Sequence, residues 1–160
     1  MTVREDISRW MFSDYWGAPK DLKMSAEENL AYGKALLMAA NGDGRLTDAE
    51  KEWILGYVAT GGHSDETLAQ LRGFGGDAEF ESLFTEGIQR IAQRVCIYDA
   101  IRAAGSDGDL ADDEIETVRS MARRIGVTDE IVDEFLDLYR QEQDLKSRRV
   151  QAVFPGGLGG

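Results

Sequence analysis

Two short acidic loops are the places where the types and spacing of residues could support chemistry. Asp43-Gly44-Arg45-Leu46 leads to Glu50, and Asp107-Gly108-Asp109-Leu110 leads to Glu114. An Asp-Gly pair favours a tight chain reversal, because Gly accepts a positive φ and Asp can bond nearby backbone amides. The glutamate can reach back to the free N–H groups at the start of a helix, where the helix dipole also favours a carboxylate. The pattern therefore predicts a turn followed by a capped helix.

The same oxygen-bearing side chains could bind a hard divalent cation. Each loop matches part of the EF-hand pattern, in which oxygen ligands hold Ca²⁺. The first ligand position holds Ala39 in one loop and Ala103 in the other, so neither loop is a complete EF-hand. Several carboxylates crowd the second loop, and a cation would relieve their mutual repulsion. Oxygen ligands favour Ca²⁺ or Mg²⁺. The alternative is that these carboxylates only form turns and helix caps.

The two loops belong to an internal repeat with an offset of 64 positions. Asp43, Gly44, Leu46 and Glu50 have their counterparts at Asp107, Gly108, Leu110 and Glu114, and further along the chain Ile54 corresponds to Val118. Each copy reads as a helix, an Asp-Gly loop and a second helix. The repeat therefore predicts two helical hairpins related by duplication.

The elements that must position these loops are helical. Apolar residues recur at intervals of three and four along almost the whole chain, and strand-like alternation is nearly absent. Capping boxes begin helices at Thr2, Ser25 and Thr47, and later helices are predicted at about 64–72, 77–84, 88–104, 111–125 and from Thr128. We expect an all-α single domain of about seven to eight helices. It divides into an N-terminal helix and linker (1–24), a helical domain (25–140) and a polar C-terminal extension with a Gly-rich tail (141–160).

Composition limits the classes of partner. The 160 residues include 18 Lys and Arg against 30 Asp and Glu, for a net charge of −12. This balance argues against nucleic acids and anionic membrane surfaces and favours cations or basic partners. No apolar stretch approaches the roughly 20 residues that span a bilayer. The single cysteine, Cys96, and the absence of a signal-like N-terminus favour the cytoplasm.

Four other residues invite a catalytic or binding interpretation. We expect His63, the only histidine, to lie in an exposed loop or a cap, because no nucleophile pairs with it in the sequence. Cys96 lies between apolar residues on a helix, so we expect a buried and unreactive thiol. Trp10 and Trp53 lie on apolar helix faces, and we expect them to pack in the core.

The repeated pattern resembles the TerB-like tellurite-resistance family. The stretches of sequence that carry the resemblance are 39–44, Glu52-Trp53-Ile54-Leu55-Gly56-Tyr57, and Ile97-Tyr98-Asp99-Ala100-Ile101-Arg102 before Asp107-Gly108. The resemblance covers about residues 25–140. A single Asp-Gly-x-Leu-x-x-x-Glu would be weak, whereas two at matching places in a helical context are more specific.

The resemblance implies a fold, a phenotype and a set of site residues. The family is all-helical, and its acidic residues are proposed to bind a metal cation. It is linked to tellurite resistance and the response to chemical stress, alongside membrane-associated proteins of the same operons. By position, Asp43, Glu50, Asp107 and Glu114 would carry a cation site. Asp99, about two helical turns before the second loop, is a plausible addition.

Three functional hypotheses follow. The first is a non-enzymatic cytoplasmic stress-response protein that binds Ca²⁺ or Mg²⁺ and acts through a protein partner. It involves neither nucleic acid nor direct membrane insertion. The second is a structural adaptor without metal, whose apolar groove takes a partner helix. The third is a metal-dependent hydrolase, which requires carboxylates from both hairpins to converge on a shared metal pair.

Overall fold

The computed structural model describes residues 2–18, 25–41, 44–75, 90–108 and 110–157. Within these ranges it contains seven α-helices and no strand: α1 (Val3–Trp10), α2 (Ala26–Ala40), α3 (Asp48–Thr60), α4 (Asp65–Gly73), α5 (Arg90–Ala104), α6 (Asp112–Arg124) and α7 (Asp129–Val153). A π-helical turn (Met11–Tyr15) follows α1, and a 3₁₀ turn (Gly105–Asp107) follows α5. The predicted all-α class is confirmed. The short helix predicted at about 77–84 lies outside the described residues.

Side-chain caps fix the starts of the early helices where the sequence places them. At α2 the backbone N–H of Ser25 donates to Glu28 Oε2 (2.7 Å), and the N–H of Glu28 donates to Ser25 Oγ (3.2 Å). The same reciprocal pair forms at Thr2 and Glu5, before α1. These bonds satisfy N–H groups that have no partner within the helix. The predicted capping boxes are therefore confirmed.

The two Asp-Gly loops share a hydrogen bond and a glycine conformation. The N–H of Gly44 donates to the Asn41 carbonyl (2.9 Å), and 64 positions later the N–H of Gly108 donates to the Gly105 carbonyl (3.3 Å). Gly44 has a φ of +82° and Gly108 a φ of +100°, a left-handed conformation that glycine adopts without a steric penalty. The described residues of both loops therefore end in the same way.

The repeat also extends to a third helix. Gly62 and Gly126, again 64 positions apart, end α3 and α6 with φ values of +88° and +78°. Ser64 and Thr128 then precede α4 and α7 as N-cap residues. The structure is therefore built from two three-helix units, α2–α3–α4 and α5–α6–α7.

The two units face each other through their first helices. The most extensive helix packing in the described chain joins α2 to α5. Its centre is apolar and fully buried, with Leu36, Leu37, Ile97 and Ile101 at the contact and Ile54, Val58, Val118 and Val132 around it. One core therefore runs through both units, and the contact between α2 and α5 lies at its centre.

The N-terminal helix departs from its sequence-based prediction. None of its residues is buried, and Trp10 is 58% exposed, so the expectation that Trp10 packs in the core is wrong. Polar contacts hold α1 on α3 and α4: Ser8 Oγ–H donates to the Gly61 carbonyl (3.2 Å), and Arg4 pairs with Asp65. Because these contacts use its polar face, the apolar face of α1 is turned outward.

The C-terminal helix is longer than the change in composition suggests. It continues through residue 141, where the sequence becomes polar and then basic, and ends at Val153. A turn follows, in which the N–H of Gly157 donates to the Phe154 carbonyl (2.9 Å). None of the described helices is both long and apolar enough to cross a bilayer.

Candidate functional site

The glutamates of the two loops act as helix caps. Glu50 Oε2 accepts from the N–H of Thr47 (2.6 Å) and from its hydroxyl (2.7 Å), and the side chain is buried. Glu114, also buried, accepts from the N–H of Ala111 (2.8 Å) through its own Oε2. Ala111 has no side-chain oxygen to return the bond, so only half of the box forms. The capping role expected of both glutamates is confirmed.

Only one of the two aspartates predicted for the cation loops lies within the described residues. Asp107 lies in the 3₁₀ turn before α6 and is exposed to solvent. Asp43, its counterpart, lies outside the described residues, as does Asp109. Across the described part of the chain, no three His, Cys, Asp or Glu residues lie close enough together to hold a metal ion. The five-residue cation site stays a prediction, because one of its two loop aspartates is not described.

Asp99 lies in a different environment, at the buried centre of the structure. The hydroxyl of Tyr32 in α2 and that of Tyr57 in α3 both donate to its Oδ2, the latter over 2.8 Å. One turn along α5, Arg102 Nη1 donates to Asp99 Oδ1 over 2.8 Å. Asp99 is therefore surrounded by three donors from three helices, which fix the carboxylate in place.

Burial and pairing act in opposite directions on this carboxyl. Removal from water raises the pKa of Asp99, and the Arg102 guanidinium and the two tyrosine hydroxyls oppose that increase. Burial likewise raises the pKa of the Tyr32 hydroxyl well above its ordinary value, and the neighbouring Asp99 raises it further. Tyr32 therefore stays protonated and remains a hydrogen-bond donor at ordinary pH.

The guanidinium of Arg102 is enclosed by aromatic rings. Its Cζ lies 5.0 Å from the ring centroid of Tyr15, 5.2 Å from that of Trp53 and 5.1 Å from that of Tyr57. Such contacts are worth about 0.5–2 kcal/mol each, more when water is excluded. Only 13% of the Arg102 side chain is exposed. We call Asp99, Arg102 and the surrounding rings of Tyr15, Tyr32, Trp53 and Tyr57 the Arg102 cluster.

The Arg102 cluster also attaches the N-terminal segment to the core. Trp16 Nε1–H donates to the hydroxyl of Tyr57 (2.9 Å), and the Trp16 ring meets Tyr98 edge-on with centroids 5.9 Å apart. Tyr15, at the end of the π-helical turn, supplies one of the rings over Arg102. The residues before the linker are therefore positioned by the same polar centre that fixes Asp99.

Sequence reasoning singled out Asp99 but not its partners. Arg102 follows it by three positions, a spacing that places the two side chains on one helix face, and this signal could have been used. Tyr32 and Tyr57 come from helices 67 and 42 positions away, and no local pattern links them to Asp99. Asp99 lies in the core among these partners, and its place in a cation site stays a prediction.

Cys96 and His63 are both enclosed. Burial, with a contribution from nearby Asp99, raises the pKa of the Cys96 thiol, which confirms a buried and unreactive cysteine. His63 was expected in an exposed loop or cap; it is buried, and its Nε2–H donates to the Asn29 carbonyl (3.2 Å). Burial lowers the pKa of this imidazole, opposed by that hydrogen bond. Neither side chain is presented to a substrate at the surface.

The whole chain resembles a protein of known structure. A tellurite resistance protein of Nostoc punctiforme matches it with a TM-score of 0.85 and 28% sequence identity, over 100% of this chain and 99% of that one. The resemblance to the TerB-like tellurite-resistance family is confirmed. No protein-family model and no curated protein matches the chain.

The TerB-like fold separates two groups of acidic residues. Glu50, Asp107 and Glu114 belong to the loops and helix starts, near the ends of the hairpins. Asp99 belongs to the Arg102 cluster, midway along α5 and inside the core. The first group therefore contains one exposed carboxylate, Asp107, and two buried glutamates that cap helices, whereas Asp99 is held inside the core.

Proposed function

We propose that this TerB-like protein acts in the cytoplasm in tellurite resistance and the response to chemical stress, by binding and not by catalysis. The observation that carries the proposal is the similarity to a tellurite resistance protein over the full length of both chains. Burial of Cys96 and His63 supports a non-enzymatic role, because nucleophilic and acid–base catalysis need such groups within reach of a substrate.

We further propose that the acidic loops bind a hard divalent cation, Ca²⁺ or Mg²⁺, and that the loaded protein acts on a protein partner. The exposed carboxylate of Asp107 supports this, and Asp43 holds the equivalent place in a loop with the same backbone turn. The fit is partial, because Glu50 and Glu114 already accept hydrogen bonds from their own helix starts. Asp43 and Asp107 would therefore be the main carboxylates to reach the ion, and the affinity is expected to be modest.

A growth assay tests the cellular role. The parent chain and an Asp43→Asn, Asp107→Asn variant would be expressed in a tellurite-sensitive bacterium together with the membrane-associated proteins of a tellurite-resistance operon. A variant with Glu52→Gln and Glu66→Gln, two exposed carboxylates outside the loops, controls for the loss of negative charge. Tolerance that depends on the loop aspartates but not on the control supports the proposal. No gain in tolerance from the parent chain contradicts it.

The adaptor without metal is the second candidate, and one observation favours it. Both loop glutamates are buried and used as caps, as a purely structural loop requires. Thermal melts in chelator, millimolar Ca²⁺ and millimolar Mg²⁺ separate the candidates, because an ion that binds the native state raises the melting temperature. An unchanged melting temperature, combined with tolerance that survives the loop substitutions, would favour the adaptor.

A further inference from the structure

Beyond Glu142, whose carboxylate approaches Arg102 Nε at 3.9 Å, α7 projects from the domain as an exposed helix. Tyr139 is its last buried residue, and none of the residues from Arg140 to Val153 is buried against the described chain. We call residues 141–153 the α7 arm; it extends about 20 Å at 1.5 Å per residue. The arm continues a helix that is anchored in the core at its start, and its own side chains are left available to a partner.

The α7 arm carries an apolar stripe on one side. Leu138 is 43% exposed and Leu145 61%, and together with Ala152 they recur at intervals of seven residues. Residues spaced by seven lie nearly above one another on a helix, as in the seam of a coiled coil. Val153, 60% exposed, borders the stripe near the end of the helix. The exposed apolar residues therefore form a strip that suits another helix.

Charge along α7 changes sign at the centre of this stripe. Residues 129–144 contain seven acidic residues and one basic residue, whereas residues 146–153 contain three basic residues and no acidic one. Leu145 lies at the boundary. Within the chain, Asp144 approaches Arg148 at 3.8 Å, but both side chains are more than 70% exposed, and such a pair contributes little. The helix therefore presents an acidic half and a basic half on either side of one leucine.

We propose that the α7 arm binds the same arm of a second copy of this chain, in antiparallel orientation and with two-fold symmetry. Such an axis near Leu145 places the acidic half of each helix beside the basic half of the other. It brings Glu142 of one copy near Arg149 of the other, because these two residues lie on the same flank of Leu145. Leu138 of one copy then lies beside Ala152 of the other. A parallel arrangement would set like charges side by side. The surface is thus self-complementary, as a two-fold interface requires.

A second copy fits this surface better than a membrane does. The protein has a net charge of −12, and the α7 arm itself mixes Glu142 and Asp144 with its basic residues. Anionic lipid would repel the body of the protein and the first part of the arm alike. A second copy meets both halves of the arm with opposite charge.

Sedimentation equilibrium of the full-length chain over a range of concentrations tests the association. The parent is expected to form a dimer that weakens as salt increases, because part of the contact is ionic. Leu145→Glu is expected to be monomeric, whereas Val3→Glu, at an equally exposed apolar residue of α1, keeps the dimer. Circular dichroism checks that both variants fold. A parent chain that stays monomeric at every concentration, or a dimer that survives Leu145→Glu, overturns the proposal.

Cross-linking tests the orientation. The native Cys96 is buried, so an introduced surface cysteine is the reactive one. Leu145→Cys, beside the two-fold axis, is expected to form a disulfide-linked dimer under mild oxidation, and Leu138→Cys is not. Rapid cross-linking through Leu138→Cys would contradict antiparallel pairing.

A charge swap supplies a second readout. Glu142→Lys and Arg149→Glu are each expected to weaken the dimer, and the two together to restore it. Weakening that adds up in the double variant would overturn the proposed pairing, because residues that do not interact combine additively.

Discussion

The two three-helix units share their turns but differ in what their first helices bury. Both have the left-handed glycine, the same turn hydrogen bond and a glutamate on the next helix start. At the centre, however, Asp99 and Arg102 of α5 occupy the positions that Ala35 and Met38 occupy in α2. Turn and cap chemistry is therefore common to both units, while only the second unit supplies the charged pair of the buried polar centre.

A second difference lies where the units end. The hydroxyl of Tyr139 in α7 donates to the Gly105 carbonyl (2.7 Å). A Cβ added at Gly105 would come within 2.2 Å of the Tyr139 hydroxyl oxygen. In the first unit, Gly75 corresponds to Tyr139 and Asn41 corresponds to Gly105. The second loop is thus clamped by its own third helix through a contact that the first unit lacks. Four sets of substitutions test the comparison.

The largest effect is expected at Asp99. Asp99→Ala leaves the Arg102 guanidinium and two buried hydroxyls without their acceptor, and losing one partner of a buried ion pair costs about 3–5 kcal/mol. The double variant Asp99→Ala, Arg102→Met gives α5 the residues of α2 and is expected to lose less than Asp99→Ala alone. Urea unfolding measures both. A double variant less stable than Asp99→Ala would show that Arg102 stabilises the fold without Asp99, through its aromatic contacts.

Gly105→Ala is expected to come next. The added methyl collides with the hydroxyl of Tyr139, and inserting a carbon into a packed site costs about 1–3 kcal/mol. Asn41→Ala, at the equivalent position of the first unit, is the matched comparison and is expected to cost less. Thermal denaturation ranks the two. Equal losses would mean that the Tyr139 clamp does not distinguish the loops.

The N-cap residues of α3 and α6 can be exchanged, so that each helix start receives the residue type of the other. Thr47 and Ala111 have nearly the same backbone, with φ and ψ of −70° and 157° against −69° and 151°. Thr47→Ala is expected to destabilise by about 1 kcal/mol, and Ala111→Thr to stabilise by up to a similar amount by completing the box with Glu114. Chemical denaturation checks both signs. A destabilised Ala111→Thr variant would show that the start of α6 does not accommodate a threonine N-cap.

The smallest effect concerns pH. Burial lowers the pKa of His63, so the unfolded chain binds a proton more readily than the folded one. Stability from His63 is therefore present above the ordinary pKa of about 6.5 and is lost as the pH falls through the folded pKa. Val127 is its counterpart in the second unit. In His63→Val, the free energy of unfolding is expected to depend less on pH just below about pH 6.5. An unchanged pH dependence would contradict a buried neutral imidazole.

Sequence reasoning succeeds where the signal is local. Asp-Gly turns and N-caps rest on residues within a few positions of one another, and the 64-residue repeat copies such a local pattern; the described residues have them where expected. It fails where partners are distant. Tyr57 and Arg102 meet only because α3 packs against α5, and the exposure of Trp10 depends on which face of α1 docks. Periodicity shows that a helix has an apolar face but not what covers it.

The cation site combines both situations. The residues of each loop are close in sequence, but ion binding depends on how the fold places their oxygen atoms. Calorimetric titration of the chelator-treated protein with Ca²⁺, compared with Mg²⁺, tests the proposed binding most directly. We predict saturable heat in the parent and in the Glu52→Gln, Glu66→Gln control, and none in Asp43→Asn, Asp107→Asn. Absence of heat in the parent, or heat that survives the loop substitutions, would contradict cation binding at the Asp-Gly loops.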